Sequence, residues 1–215
     1  MELKEKINQI SSNLLKMFEL TISYLNSAFS YYRDENNKGE EKLINDDNID
    51  HLERQVEEDC LLVILKERPF ASDLRRVTGI FKLVEDIERL GDHAEDIAWV
   101  SKNLYKAKEA YRSEKIGHII SVALSMVTDS YKSLANGNVD LAKDVIKRDD
   151  IVDKLYLDLL AEIPVSKEKY ALNDAYVIYT TLLVKYVERI ADHASNIAEW
   201  AIYIQNGYYK DKVII

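Results

Sequence analysis

The chain has 215 residues, and 29 Lys plus Arg against 38 Asp plus Glu leave a net charge of −9. A field of that sign repels phosphate backbones and argues against nucleic acid as a partner. With 47% hydrophobic and 31% charged residues, the sequence can bury a core and falls outside the disordered class. The lone cysteine, Cys60, excludes an internal disulfide and a cysteine-based zinc site. Only 2 prolines and 6 glycines exclude turn-rich β architectures and predict long, uninterrupted helices.

The first residues, Met1 to Lys6, are charged from the outset and carry no export signal. Apolar recurrence then predicts a first helix over about 2–33, ended by the polar run Asp34 to Gly39. A second helix spans about 40–66 and stops at Arg68-Pro69. The third, about 70–107, carries Ile80, Leu83, Val84, Ile87, Leu90, Ala94, Ile97 and Ala98 on one face. At 1.5 Å per residue it is roughly 57 Å long. Beyond a polar stretch near 106–113 come helices over about 113–135 and 139–162, separated by Asn136-Gly137-Asn138. Ile163-Pro164 precedes a sixth helix, about 166–206, with Leu183, Val184, Val187, Ile190, Ala194, Ile197 and Ala198 on its apolar face. Gly39 and Gly137 suit chain reversals with positive φ, and both prolines suit the first turn of a new helix. The most apolar run, Ala175 to Val184, is too short to span a bilayer. A cytoplasmic protein that meets membranes only through partner proteins is the expectation.

The two halves repeat each other. Val84-Glu85-Asp86-Ile87-Glu88-Arg89-Leu90-Gly91-Asp92-His93-Ala94 returns 100 residues later as Val184-Lys185-Tyr186-Val187-Glu188-Arg189-Ile190-Ala191-Asp192-His193-Ala194. Upstream, the Asp-Asp-x-x-Asp run ending at Asp50 returns, 103 residues on, ending at Asp153. The fold class that follows is all-α: two tandem three-helix bundles, six long helices in an elongated molecule. The division falls at 1–109 and 110–215.

The repeat sets out four acid-x-x-x-Asp pairs: Asp46/Asp50, Glu88/Asp92, Asp149/Asp153 and Glu188/Asp192. Acids four residues apart are neighbours on a helix and repel by a few tenths of a kcal/mol. A hard cation held between two such helices turns that repulsion into ligation, because carboxylate oxygens suit Mg, Ca, Mn and iron. Glu88, Asp92 and Glu95 lie roughly opposite the apolar stripe and are expected to face out of their bundle. Chance alone gives roughly seven such pairs in a chain this acidic, so their number is no evidence; their equivalence in two diverged copies is the signal. From the residues alone, a metal-holding face and a solvated acidic face both stay open.

Other groups point to bland roles. His93 and His193 turn about 100° away from the preceding Asp and suit a capping, core-edge or contact position. Arg89 and Arg189 suit pairing with nearby carboxylates, and Cys60 sits in an apolar run and reads as core. Lys66 to Arg76 is a small basic cluster at a helix corner, a solvated surface or a docking patch. The 14 tyrosines recur at helical intervals as packing residues. There is no nucleophile elbow, phosphate loop or dinucleotide turn, and catalysis is not expected.

The run Asp50-His51-Leu52-Glu53, Cys60, Pro69-Phe70-Ala71-Ser72-Asp73-Leu74-Arg75 and the two acid-Arg-x-x-Asp-His-Ala runs together resemble the PhoU family of phosphate-uptake regulators. The resemblance covers essentially the whole chain. It implies an elongated pair of three-helix bundles, often a homodimer. It also implies action with the ATPase of the Pst phosphate ABC transporter and a PhoR-type sensor kinase, repressing the phosphate-starvation response when phosphate is plentiful. Multinuclear clusters of iron or another divalent or trivalent metal (Fe, Zn, Mn or Mg) are implied on Asp46, Asp50, Glu88, Asp92, Asp149, Asp153, Glu188 and Asp192. Two departures stand out: Ala191 replaces Gly91, and the second copy has Asn173-Asp174-Ala175 in place of the Asp-Leu-Arg corner.

Two other readings compete. A metal-free helical scaffold shares the fold and leaves the acidic faces solvated. A ferritin-like di-metal oxidase needs Glu-x-x-His on facing helices. Three residues before His51, His93, His118 and His193 stand Asn48, Leu90, Lys115 and Ile190, so that motif is missing.

Overall fold

The computed structural model describes residues 2–34, 36, 47–107, 113–210 and 212–213. Helix α1 (Leu3–Arg33) opens with the Glu2 amide donating to Glu5 Oε2 at 3.0 Å, which satisfies one orphan end group. It is followed by α2 (Asp47–Glu67) and α3 (Ser72–Ala107), whose 36 residues run about 54 Å. The second copy comprises α4 (Glu114–Asn136), α5 (Val139–Tyr170) and α6 (Asp174–Asn206). Asn138 and Asn173 cap α5 and α6 with their side-chain oxygens, and Gly137 ends α4 in the left-handed conformation at φ 64°.

Within each copy the three helices pack on one another, giving the two three-helix bundles. The broadest helix–helix interface, however, joins the copies: α3 lies along α6. Both apolar stripes meet there, and Leu83, Ile87, Leu90 and Ile97 are fully buried with Leu183, Val187, Ile190 and Ile197. One continuous core therefore runs through both bundles. After α6 a short antiparallel hairpin, β1 (Tyr208–Tyr209) and β2 (Lys212–Val213), folds back on the bundle. The Tyr209 ring stacks on Trp200 at 4.0 Å between centroids. Hydrophobic periodicity has no purchase on strands two residues long.

The expected break at Ile163-Pro164 is not there. Helix α5 runs through Pro164 to Tyr170, and α6 starts at Asp174 rather than near 166. The turn falls instead at Ala171, which takes φ 52° and ends α5. Pro164 lies on the exposed side and leaves the Leu160 carbonyl without its helical donor. Ile163 just before the proline and Ser166 and Leu172 beyond it close with Ile116 and Tyr176 around the same small cavity, so tertiary packing overrides the local preference. Relief of that defect is measurable. Pro164→Ala is expected to raise stability by about 1–2 kcal/mol, the regained helical bond less the added freedom of the unfolded chain. Urea unfolding followed by circular dichroism checks it, and an unchanged midpoint refutes it.

The corner between α2 and α3 is strained. Arg68 (φ 48°) and Ala71 (φ 49°) both take left-handed conformations without being glycine, at about 1–2 kcal/mol each. Pro69 lies in this turn, ahead of the helix it was expected to begin. The predicted start of α2 at about 40, together with Gly39, lies outside the described residues.

Candidate functional site

The acidic pairs of the second copy meet in the groove between α5 and α6. Helix α5 supplies Asp149 and Asp153 one turn apart, and α6 supplies Glu188 and Asp192 in the same spacing. One oxygen each from Asp153, Glu188 and Asp192 lie within 4.8 Å of one another. Burial, and then the charges of Asp192 and Asp153, push the Asp149 carboxyl up to about 6. Burial and then Glu188 and Asp153 raise Asp192 likewise. The Asp149 Oδ1 atom is buried with no hydrogen-bond donor among the described residues. Lys185 reaches in at 2.5 Å from Glu188 Oε2, with its ammonium 5.1 Å from the Tyr156 ring centroid.

The first copy places Asp50 on α2 and Glu88 and Asp92 on α3, while Asp46 lies outside the described residues. Here a guanidinium intrudes. Arg89 Nε stands 3.4 Å from Glu88 Oε2, and its Nη1 donates to Asp92 Oδ2 at 2.8 Å. Glu53, raised by burial and then by Glu57 and Asp50, adds to the acidic groove. Asp50 Oδ1 is again buried without a donor among the described residues. Among the described residues, three acids converge to ligand spacing only in the second copy.

The acids do not face outward as expected. The Glu88 and Glu188 side chains are 14% and 12% exposed, because they turn into the groove beside the preceding helix. A helix packed on several neighbours has too little free surface for all residues off its stripe. Glu95, further round, is exposed.

An all-oxygen donor set with converging atoms and an orphaned buried oxygen fits a hard cation such as Mg, Ca, Mn or iron. In the second copy Asp149, Asp153, Glu188 and Asp192 would hold it. In the first, Asp50, Glu88 and Asp92 would do so once Arg89 swings aside. Without a cation, burial and the neighbouring carboxylates raise the proton affinity of Asp149 and Asp192 in one groove and of Glu53 in the other.

The histidines stand apart from this chemistry, at the edge of the α3–α6 seam. His93 is 6% exposed, accepts or donates at Nδ1 to Asp96 at 3.1 Å, and lies 5.6 Å from the rings of both His193 and Tyr186. His193 Nδ1 meets Asp86 at 2.9 Å, and Asn196 donates to the same Asp86 oxygen at 3.3 Å. Repeat position 93 therefore meets position 186, and position 193 meets position 86. Asp86, Asp96, Tyr186, Glu53 and Lys185 all shape these sites and escaped the sequence reading. For 86 and 186 the repeat offered a partial signal, since both stand at the same place in the duplicated run, and each meets the histidine of the other copy. Cys60 is buried and its thiol is pushed up to about 12 by burial, so it is core and not a nucleophile. No described helix is long and apolar enough to cross a membrane.

Comparison with known proteins agrees with the duplication. The PhoU domain profile matches twice, at residues 14–100 and 116–201. A Clostridium acetobutylicum protein, named a phosphate-specific transport system accessory protein PhoU homolog, is 32% identical over 209 residues, which are 95% of this chain and 94% of that one. A protein of the same name from Aquifex aeolicus is 34% identical over 96% of this chain and 94% of its own. The crystal structure of PhoU from Pseudomonas aeruginosa superposes with a TM-score of 0.89 at 31% identity, covering 96% of this chain and all of that one.

Proposed function

Because the chain belongs to the PhoU family, we propose that it is a non-catalytic accessory protein of phosphate transport. It represses phosphate uptake and the phosphate-starvation response. In this reading it works in the cytoplasm, as a homodimer, through contacts with the ATPase of a phosphate ABC transporter and a PhoR-type sensor kinase. The names of its relatives support the transport role. The observation that carries the metal reading is the pair of acid-lined grooves placed equivalently in the two copies. These grooves would each hold a hard cation or small metal cluster, on Asp149, Asp153, Glu188 and Asp192 in one and Asp46, Asp50, Glu88 and Asp92 in the other. A bound metal supplies charge neutralisation and a cross-link between neighbouring helices. The chain's own part is to stiffen the α2–α3 and α5–α6 grooves and so fix the outer surfaces that partners meet. Neither groove pairs a nucleophile with a base, so nothing in the described residues calls for turnover.

The test has two readouts. Protein purified without tag or chelator is expected to carry metal by elemental analysis, and the Asp92→Asn/Asp192→Asn double variant to lose most of it. A strain lacking the gene is expected to express its starvation response in phosphate-rich medium until the wild-type gene is restored. Equal metal in both proteins removes the ligand assignment. Unchanged expression in a strain without a second such gene removes the regulatory role.

A further inference from the structure

The α2–α3 corner carries the most exposed aromatic residue of the described chain. Phe70 is 86% exposed, between the left-handed residues Arg68 and Ala71. On the helix just before it, Leu65 is 72% exposed and Leu61 and Leu62 are 46% and 44% exposed. Leu61 and Leu65 stand one turn apart and so share a face of α2. Large apolar side chains exposed together on one helix and the turn that follows it mark a contact site. The second copy keeps only part of it: 103 residues on, Pro164 and Glu168 occupy the places of Leu61 and Leu65, while Val165 stands in the place of Leu62 and is also exposed.

Charge identifies the occupant. Over residues 66–76, Lys66, Arg68, Arg75 and Arg76 face Glu67 and Asp73, so four minus two leaves +2 on a chain whose total is −9. Glu67 is moreover tied to Lys6. Beside the corner opens a cavity of about 570 Å³ lined by Ser72, Asp73, Arg75, Arg76, Asn136 and Gln205, among others. The Arg75 Nε–H at its wall is buried and donates to no acceptor among the described residues.

We propose that this corner docks a partner protein offering an apolar pocket rimmed by carboxylates, with Phe70 and Leu65 as anchors and Arg68, Arg75 and Arg76 as the charged rim. An exposed aromatic set among weaker contacts is the usual make-up of an interface hot spot. The cationic rim speeds encounter and makes association sensitive to salt.

The proposal rests on the accessory role above, so the partner tested is the ATPase subunit of the same organism's phosphate transporter. Its binding to the full-length protein is measured by calorimetry at low and high salt. Phe70→Asp and Leu65→Asp are expected to weaken binding roughly tenfold or more, with helicity and melting temperature unchanged. Arg68→Glu is expected to slow association and flatten the salt dependence. Val165→Asp, at an exposed apolar site on the second copy, is expected to leave binding intact. If wild type binds and both aspartate variants bind as tightly, the corner is not the docking surface while the accessory role stands. If wild type does not bind the subunit at all, the partner assignment falls and this proposal with it. If the variants instead disrupt self-association in sedimentation, the corner joins copies of this chain, and the proposal is overturned in that direction.

Discussion

Leu90→Ala is expected to destabilise the whole molecule by about 2–5 kcal/mol, and to do so in one transition. Leu90 is fully buried on α3, where the stripes of the two copies meet. Removing its branched end deletes contacts to a core that belongs to both bundles, and packed neighbours relax only partly into the space. In a chain of this length that is a fall in melting temperature of roughly 5–15 °C. Two separately cored bundles would answer differently, with the first melting early and the second unmoved. Calorimetry distinguishes the outcomes: a second transition at the wild-type temperature would refute the shared core.

The next largest effect is electrostatic and has a definite sign. In metal-free protein kept in chelator, Asp149 holds its proton up to about pH 6, against the ordinary 3.8, chiefly because it is buried and then because Asp192 and Asp153 stand near. The folded state therefore binds more protons than the unfolded one between about pH 4 and 6. Stability from this group is full below that window and is lost as pH rises through it. A shift of that size corresponds to about 3 kcal/mol, and about 1–2 kcal/mol is expected after solvent screening of a groove half open to water. Asp149→Asn removes the titrating group, so the variant should be more stable than wild type at pH 7 by that amount and equal to it near pH 4. Urea midpoints at the two pH values check this. A variant less stable than wild type at pH 7 in chelator would show that the Asp149 carboxylate is already satisfied.

Much of this was legible before any coordinates. The stripe from Ile80 to Ala98 and its return from Leu183 to Ala198 reported six helices and the duplication, because periodicity over thirty residues outweighs local noise. The acid pairs were legible as pairs, since i,i+4 spacing is a property of one helix. Their direction was not. Whether Glu88 faces water or a groove depends on which helices flank α3, and that is a tertiary fact. Pro164 misled for the same reason: local chemistry argues for a break, and the apolar anchors on either side of it hold the helix together. Arg89 and Lys185 illustrate a subtler limit. Both lie within the repeated run, but which cation reaches which carboxylate follows from rotamers and packing. Phe70 was visible as a letter in a motif, while its exposure depends on how the turn sits on the bundle and is again a tertiary fact.

The seam in which position 93 meets 186 and position 193 meets 86 bears on what unites the molecule. Peptide linkage between the copies passes only through residues 107–113, whereas fully buried side chains of α3 and α6 join them along most of two long helices. A nick in that connecting stretch would sever the polypeptide and leave the particle whole, its halves clasped like complementing fragments. The duplicated chain is, in its energetics, a dimer that happens to be written as one sentence.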